Sequence, residues 1–264
     1  MAVPTAQLPN GLVTGACMAF APTGRDLHQT VFVDPGHGGP DPGAVGGAAV
    51  EKDLTLAVAL KLRDQLVAAG YRVVLARIAD TSVARLLDSQ VRAGAVTESG
   101  IHIDTQARIA CANAARASAL VSIHFNAFDD PSVGGAETFF DDVRDFATAN
   151  GRLATLLQAG MEDSFTKAGW TVDDRGVISD AETGSSGLTD AGDSYGRLME
   201  LGPAKAGWND SPSQMPGALV EPFFLTNPVE AGVAMSTKGR QAIATGLADG
   251  LMKFLALSSA SPTG

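Results

Sequence analysis

Residues 30–39 of the chain read TVFVDPGHGG, a β-branched apolar run that ends in a glycine-rich turn. Residues 30–34 predict a buried strand, because β-branched side chains favour extended backbone and so short an apolar run fits a strand better than a helix. The glycines and the proline that follow predict a tight loop. The sequence therefore places His37 directly beyond the end of a strand.

Apolar runs of this kind alternate with longer helical patterns along most of the chain. The predicted strands are residues 30–34, 71–76, 119–124, 135–140 and 217–223, with a further short strand at 196–201. The predicted helices are residues 52–69, 104–117, 143–168 and 236–255. Because strands and helices alternate, we expect an α/β fold of three layers, in which helices flank a mostly parallel mixed sheet of about six strands.

The 264 residues fit one domain with a few additions. We expect residues 1–29 to be an N-terminal extension, residues 30–257 to form the domain, and residues 258–264 to be a flexible tail. Two stretches, 81–103 and 178–216, do not follow the regular alternation. The second far exceeds the length at which loops become uncommon, about 12–15 residues. We expect both to be insertions on the substrate side of the domain.

Charge and composition restrict the classes of partner. The chain has 19 Lys and Arg against 29 Asp and Glu, a formal net charge of -10, which argues against nucleic acid as a partner. No apolar run is long enough to span a membrane, and the first residues lack the basic start of a secretion signal. We expect a monomer. The two cysteines, Cys17 and Cys111, fit one disulfide or two separate buried thiols.

Polar residues follow three of the predicted strands. His37 follows the first strand, His124 ends the run ALVSIH, and Glu221 ends the run GALVE. The carboxyl ends of parallel strands meet at one edge of the sheet, where ligands of open α/β sheets bind. An unpaired charge beside such apolar runs would cost several kcal/mol. The pattern therefore predicts a polar ligand or a metal at this edge.

Zinc fits this set of side chains. A catalytic zinc site has three protein ligands, commonly histidine and carboxylate, and keeps one position open. Glu51 is the predicted third ligand beside His37 and His124, because it begins the helix that closes the glycine-rich loop. We expect one Zn²⁺ per chain. Glu221 is then the predicted general base that deprotonates water.

Each of these residues also has a purely structural interpretation. A glutamate in the first turn of a helix interacts favourably with the helix dipole, which would explain Glu51. A histidine at the end of a strand, such as His124, is often a hydrogen-bonded structural residue. The expected convergence of all of them at one edge favours the metal site.

Four blocks of sequence resemble, in order, the signature blocks of the zinc-dependent N-acetylmuramoyl-L-alanine amidases of type 3. They are VDPGHGGPDPGAVGG, EKDLTLAVAL, LVSIHFNA and ALVEPFFLTNP. The resemblance implies a zinc-exopeptidase-like fold, peptidoglycan as the substrate, and cleavage of the amide between N-acetylmuramic acid and L-alanine. It also implies that His37, Glu51 and His124 bind the metal and that Glu221 is the catalytic glutamate.

Weaker matches to this family extend the candidate site. Arg77, Arg108 and Arg175 fall in further matching positions. We expect Asn126, Arg175 and His102 to contact the substrate, with a structural role as the alternative for Asn126. The chain departs from the family pattern at its two long insertions, which leaves the fine substrate specificity open.

The sequence leaves open two other functions and the origin of the enzyme. A zinc peptidase that cuts within the stem peptide would use a similar fold, and a non-catalytic wall-binding module would share the same blocks. The enzyme is either a host wall-remodelling autolysin or a phage endolysin. In each case we expect it to act outside the cytoplasm, in the extracellular space, the periplasm or the cell wall.

Overall fold

A seven-stranded mixed sheet forms the centre of the computed structural model, which describes residues 10–183 and 195–260. The strands of this sheet and of two small hairpins are, in chain order, β1 Met18–Phe20, β2 Thr30–Pro35, β3 Val45–Gly46, β4 Ala49–Val50, β5 Arg72–Leu75, β6 Val91–Arg92, β7 Ala95–Val96, β8 Ala119–Ile123, β9 Ala136–Phe140, β10 Asp174–Ser179 and β11 Gly217–Glu221. The order across the large sheet is β1-β5-β2-β8-β11-β9-β10.

Helices cover both faces of the sheet. They are α1 Glu51–Ala68, α2 Glu98–Ala115, α3 Ala147–Ala168, α4 Pro228–Met235 and α5 Thr237–Ala260. Successive side chains of a strand point to opposite faces. Val31 and Val33 accordingly pack into the core on the side of α1, α3 and α5, whereas Phe32 packs into the core on the side of α2. The three-layer α/β fold predicted from the sequence is confirmed.

The strand directions decide which side chains meet. Strands β5, β2, β8 and β11 are parallel, while β9 runs antiparallel to β11 and β10 runs parallel to β9. The carboxyl ends of β2, β8 and β11 therefore lie at the same edge as the beginnings of β9 and β10. This edge, the site edge below, carries every proposed catalytic or metal-binding residue except Glu51, which begins α1.

The predicted strand at residues 196–201 is wrong, because these residues form turns and bends. The buried Leu201 packs against the core as part of an irregular segment. Strand β10, which contains Arg175, was not predicted, because an edge strand that is half exposed lacks a continuous apolar run. Helix α2 begins at Glu98, inside the predicted insertion 81–103, where the Thr97 side chain accepts a hydrogen bond from Gly100 N.

Part of the predicted N-terminal extension belongs to the sheet. Strand β1 pairs antiparallel with β5, and a disulfide joins Cys17 to Cys111 of α2. At the other end, α5 reaches Ala260 and so enters the predicted tail. No helix in residues 10–183 or 195–260 is both long enough and apolar enough to cross a membrane.

Candidate metal centre

His37, Glu51 and His124 come together at the site edge. His37 Nε2 lies 3.0 Å from Glu51 Oε1 and 3.0 Å from His124 Nδ1, and His124 Nδ1 lies 3.1 Å from Glu51 Oε1. Tetrahedral zinc with bonds of about 2.0–2.1 Å requires ligand atoms about 3.3 Å apart. Two imidazole nitrogens and one carboxylate oxygen therefore form a triangle of the size and chemistry that zinc binds.

Pairing of β2 with β8 brings the two histidines together. Gly36 N donates to Ile123 O at 3.0 Å, which continues the parallel ladder past Pro35 and into the loop of His37. A Cβ atom on Gly36 would lie 2.4 Å from the ring of His124. Glycine is therefore required at position 36 for the imidazole of His124 to reach its partners.

Glu51 is held by two main-chain donors. Its Oε2 accepts from Ala44 N at 2.7 Å, and its Oε1 accepts from Phe125 N at 2.9 Å. The side chain is almost completely buried at the first turn of α1. Because both oxygens are fixed by backbone groups of the two loops that carry the histidines, the carboxylate is oriented before any metal binds.

Asp41 orients the ring of His37. His37 Nδ1 lies 2.8 Å from Asp41 Oδ2, and Asp41 Oδ1 accepts from Gly43 N. A carboxylate on the second nitrogen is the usual way to fix the tautomer of a metal-binding histidine. His37 itself has a left-handed backbone conformation, with φ of 62°. Nε2 is thus directed toward Glu51 and His124.

Two buried arginines hold the loop of His37 from behind. Arg77 donates to the main-chain oxygens of Pro35 and Gly36, each at 2.9 Å. Arg108 donates to the main-chain oxygen of His37 at 2.7 Å and forms an ion pair with Asp34. Burial, followed by repulsion from Arg108, lowers the pKa of Arg77 to about 10. Both guanidinium groups therefore fix the backbone of this loop.

The charges of the triad favour a bound cation. Burial acts against a charged imidazole, but the carboxylates of Asp41 and Glu51 raise the pKa of His37 to about 10. Burial would raise the pKa of Glu51, but the adjacent histidines hold it well below its ordinary value. The same anionic groups that favour a proton on His37 also favour a metal ion in its place. The donor set and its charge therefore fit zinc.

Glu221 ends β11, next to the triad on the site edge. Its Oε2 is buried and has no hydrogen-bond partner among the described residues. Burial, and then the charges of Glu51 and Glu137, raise the pKa of Glu221 well above its ordinary value. A buried carboxyl oxygen without a partner is costly, so its retention at this position fits a group that exchanges protons with a ligand.

Glu137 was missed by the sequence analysis and connects two predicted substrate contacts. It lies opposite Glu221 in the β9–β11 pair, and its carboxylate accepts from Asn126 Nδ2 and from Arg175 Nε at 2.6 Å. The sequence does mark Glu137 as unusual, since a glutamate stands inside the apolar run AETFF. Asn126 and Arg175 therefore belong to the same site edge as Glu221.

A cavity of about 250 Å³ opens beside His37 and His124. Residues of both predicted insertions line it, among them Ile101 from the first and Met199 and Glu200 from the second. Glu200 Oε1 is buried without a hydrogen-bond partner among the described residues. Burial, and then the charge of Asp34, raise the pKa of Glu200 well above its ordinary value. The insertions therefore form a wall of the site.

His102 does not join the triad. Its Nε2 lies 2.7 Å from Trp208 O, and its ring stacks on that of Trp208 with centroids 5.6 Å apart. It is not among the residues that line the cavity. The structure thus places His102 at the contact between the two insertions.

A model of the N-acetylmuramoyl-L-alanine amidase family matches residues 31–253. The chain belongs to this family. The matched range includes His37, Glu51, His124 and Glu221 together with every strand of the site edge. Members of the N-acetylmuramoyl-L-alanine amidase family are hydrolases that act on peptidoglycan, and the family and enzyme class predicted from the sequence are confirmed.

Curated relatives of this amidase chain include two bacterial enzymes. The germination-specific N-acetylmuramoyl-L-alanine amidase of Bacillus subtilis (strain 168) is 28% identical over 230 residues, which cover 86% of this chain and 79% of the relative. AmiC of Neisseria meningitidis is 27% identical over 239 residues, which cover 85% of this chain. The chain spans about half the length of that second relative, 52%.

Solved amidase structures share the fold. The CwlD amidase from Clostridioides difficile, determined in complex with the GerS lipoprotein, has a TM-score of 0.67 at 25% identity, covering 87% of this chain and 99% of that one. AmiC2 of Nostoc punctiforme has a TM-score of 0.62 at 25% identity, covering 88% and 99%. The architecture described above is therefore that of an amidase catalytic domain.

Proposed function

We propose that this amidase is zinc-dependent, with one Zn²⁺ bound by His37, Glu51 and His124, and that it cleaves the bond between N-acetylmuramic acid and L-alanine. The observation that carries the proposal is the triangle of candidate ligand atoms 3.0–3.1 Å apart, next to Glu221, whose buried Oε2 has no hydrogen-bond partner among the described residues. When bound, the zinc supplies a Lewis acid that polarises a carbonyl and makes water acidic.

Glu221 is the proposed general base and acid. It accepts a proton from the attacking water, whose oxygen adds to the lactyl carbonyl carbon of the muramic acid. It then returns that proton to the amide nitrogen as the carbon–nitrogen bond breaks. The products are a lactyl carboxylate and the free amine of L-alanine. This cycle needs one carboxyl that first accepts and then releases a proton, and the buried Oε2 of Glu221, which has no hydrogen-bond partner among the described residues, suits that role.

Asn126 and Arg175 are the proposed substrate contacts, because Glu137 holds both on the site edge. His102 is proposed only as a support of the cavity wall, since its nitrogen is engaged by Trp208.

We further propose that the protein acts as a monomer outside the cytoplasm, in the extracellular space, the periplasm or the cell wall. The disulfide between Cys17 and Cys111 supports an oxidising compartment.

Digestion of purified peptidoglycan tests the bond that is cut. We expect mass spectrometry to find intact glycan strands and stem peptides that begin with a free L-alanine amine. Cleavage inside the stem peptide would favour the zinc peptidase instead. The same digestion should stop in a chelator and recover when zinc is added, whereas full activity in the chelator would contradict the metal assignment.

A further inference from the structure

Arg175 lies two strands away from Glu221 on the site edge. It forms a bulge in β10, between Asp174 and Gly176, which pair with Ala136 and Glu137 of β9. Glu137 in turn pairs with Glu221 of β11. Neighbouring strands lie about 4.8 Å apart, so the backbones of Arg175 and Glu221 are separated by about 10 Å along the sheet.

The guanidinium of Arg175 is fixed from three directions. Its Nε donates to the buried carboxylate of Glu137 at 2.6 Å, and its Cζ lies 5.0 Å from the centre of the Phe224 ring. The side-chain stem passes over Gly135, where a Cβ atom would come within 2.8 Å of Arg175 Cγ. An arginine on the surface that only pairs with solvent would not require a buried carboxylate, an aromatic ring and a glycine.

The remaining donors of Arg175 are unused. Neither Nη1 nor Nη2 has an acceptor among the described residues, and the side chain is 40% exposed. The nearby carboxylate of Glu230 is occupied by Gly135 N and Phe224 N, at 2.7 Å each. A guanidinium held by Nε presents its two Nη donors in the planar arrangement that binds a carboxylate with two hydrogen bonds.

We propose that Arg175 binds the first free carboxylate of the stem peptide, the α-carboxylate of the D-glutamate that follows L-alanine. This inference rests on the proposed function. In a stem peptide linked through the γ-carboxyl of D-glutamate, that α-carboxylate lies about 5–6 Å beyond the alanine nitrogen. One strand, β9, lies between Glu221 of β11 and Arg175 of β10, and this spacing together with the length of the arginine side chain matches this reach. The enzyme would then discriminate against walls in which the α-carboxylate is amidated.

Three synthetic muramoyl tripeptides, MurNAc-L-Ala-γ-D-Glu-L-Lys, show which carboxylate Arg175 contacts, because they differ in which carboxylate is free. In the first, the α-carboxylate is amidated and the C-terminus is an amide, so that neither carboxylate is free. In the second only the α-carboxylate is free, and in the third only the C-terminal carboxylate is free. We expect kcat/KM for the second to exceed that for the first by about 10- to 100-fold, mainly through KM, as a charge-assisted bidentate contact implies.

Variants of Arg175 assign this preference to its guanidinium. In Arg175→Met the ratio of kcat/KM between the second and first substrates should fall to about one. In Arg175→Lys this ratio should lie between that of Arg175→Met and that of the wild type, because lysine keeps the charge but lacks the two parallel Nη donors. Arg152→Met is the matched control, since Arg152 also lies over an aromatic ring, 5.3 Å from the centre of Phe254. The control should keep the wild-type ratio.

An equal rate on the first two substrates in the wild type would overturn the inference, as would a preference that survives in Arg175→Met. A preference for the third substrate would assign the arginine to the C-terminal carboxylate and equally contradict the inference. The Arg175→Lys variant serves the same purpose if Arg175→Met does not fold. Failure to cleave any of the three substrates would instead count against the proposed function, so the two outcomes are distinguishable.

Discussion

The guanidinium of Arg108 donates to the main-chain oxygen of His37 at 2.7 Å. The position of the imidazole of His37, a proposed metal ligand, is thus controlled through its backbone by a side chain from α2. Arg108 also pairs with Asp34 and Asp104, so one buried cation connects the end of β2, helix α2 and the loop of His37.

Replacing Arg108 with lysine should therefore weaken zinc binding. Lysine keeps the charge but cannot contact Asp34, Asp104 and the main-chain oxygen of His37 at once. We expect zinc affinity to fall by about 10- to 100-fold, as for other supports of metal ligands. Competition with a metal-binding dye measures this. Arg116→Lys, an exposed position just after the same helix, is the control and should bind zinc like the wild type.

The Glu221→Gln variant should separate metal binding from catalysis. Glutamine cannot take up the water proton, so we expect turnover to fall by about 10²- to 10⁴-fold while one zinc per chain is retained. Elemental analysis and muropeptide turnover are the two measurements. Loss of zinc from this variant would show that Glu221 is a ligand and that its assigned role is wrong.

Gly36→Ala should disrupt the centre without replacing any proposed ligand. The new Cβ would lie 2.4 Å from the ring of His124, so the imidazole or the loop must move. We expect loss of zinc binding and of activity. Gly232→Ala in α4, where a Cβ meets nothing within 4 Å, is the control. Normal zinc content in Gly36→Ala would mean that the two histidines are not held in the described arrangement.

Asp180 should make stability depend on pH. Burial, and then repulsion by Asp141, raise the pKa of Asp180 to about 6 from an ordinary 3.8. The folded state therefore binds this proton more tightly than the unfolded state, so its contribution favours folding below about pH 4 and is lost as the pH rises through about 6. Asp180→Asn removes the effect.

Urea denaturation of both proteins at pH 4 and pH 7 tests this. Relative to Asp180→Asn, the wild type should be more stable at pH 4 than at pH 7 by about 1–2 kcal/mol, a value reduced for screening by solvent and by Arg197. The comparison between variants cancels the titration of carboxylates that do not interact with Asp180. A difference that does not change with pH would contradict the expectation.

The disulfide should contribute to global stability. It closes a sequence separation of 94 residues, for which loss of the crosslink costs about 2–5 kcal/mol. We expect Cys17→Ala/Cys111→Ala to unfold at lower urea, and the reduced wild type to unfold like the variant. Equal midpoints for the oxidised wild type and the variant would show that the bond does not constrain the unfolded chain.

The residues at the strand ends of the site could be predicted from the sequence for a physical reason. His124 and Glu221 interrupt apolar runs that predict parallel strands, and parallel strands bring their ends together without further information. Glu51 required a weaker argument, because a glutamate at a helix start has an ordinary explanation. Its two main-chain donors, Ala44 and Phe125, become visible only in the folded structure.

Other parts could not be predicted because they depend on pairing across the sheet. The role of Glu137 follows from the reversal of β9 relative to β11, which local sequence does not encode. Strand β10 is a half-exposed edge strand, so it lacks the periodic signal on which strand prediction depends. The sequence predicts a substrate contact for His102 in the first insertion, whereas its contact with Trp208 depends on how the two insertions fold.

The disulfide also determines which residues would bear a mechanical force applied to the chain. A pulling force applied to the chain ahead of Cys17 enters the domain at Cys111 of α2, one helical turn from Arg108. Residues 18–110 lie inside the covalent loop and are bypassed by that force. His37 and Glu51 are within the loop and His124 is outside it. In an oxidising medium, two of the three proposed metal ligands are therefore shielded from mechanical load at the N-terminal side.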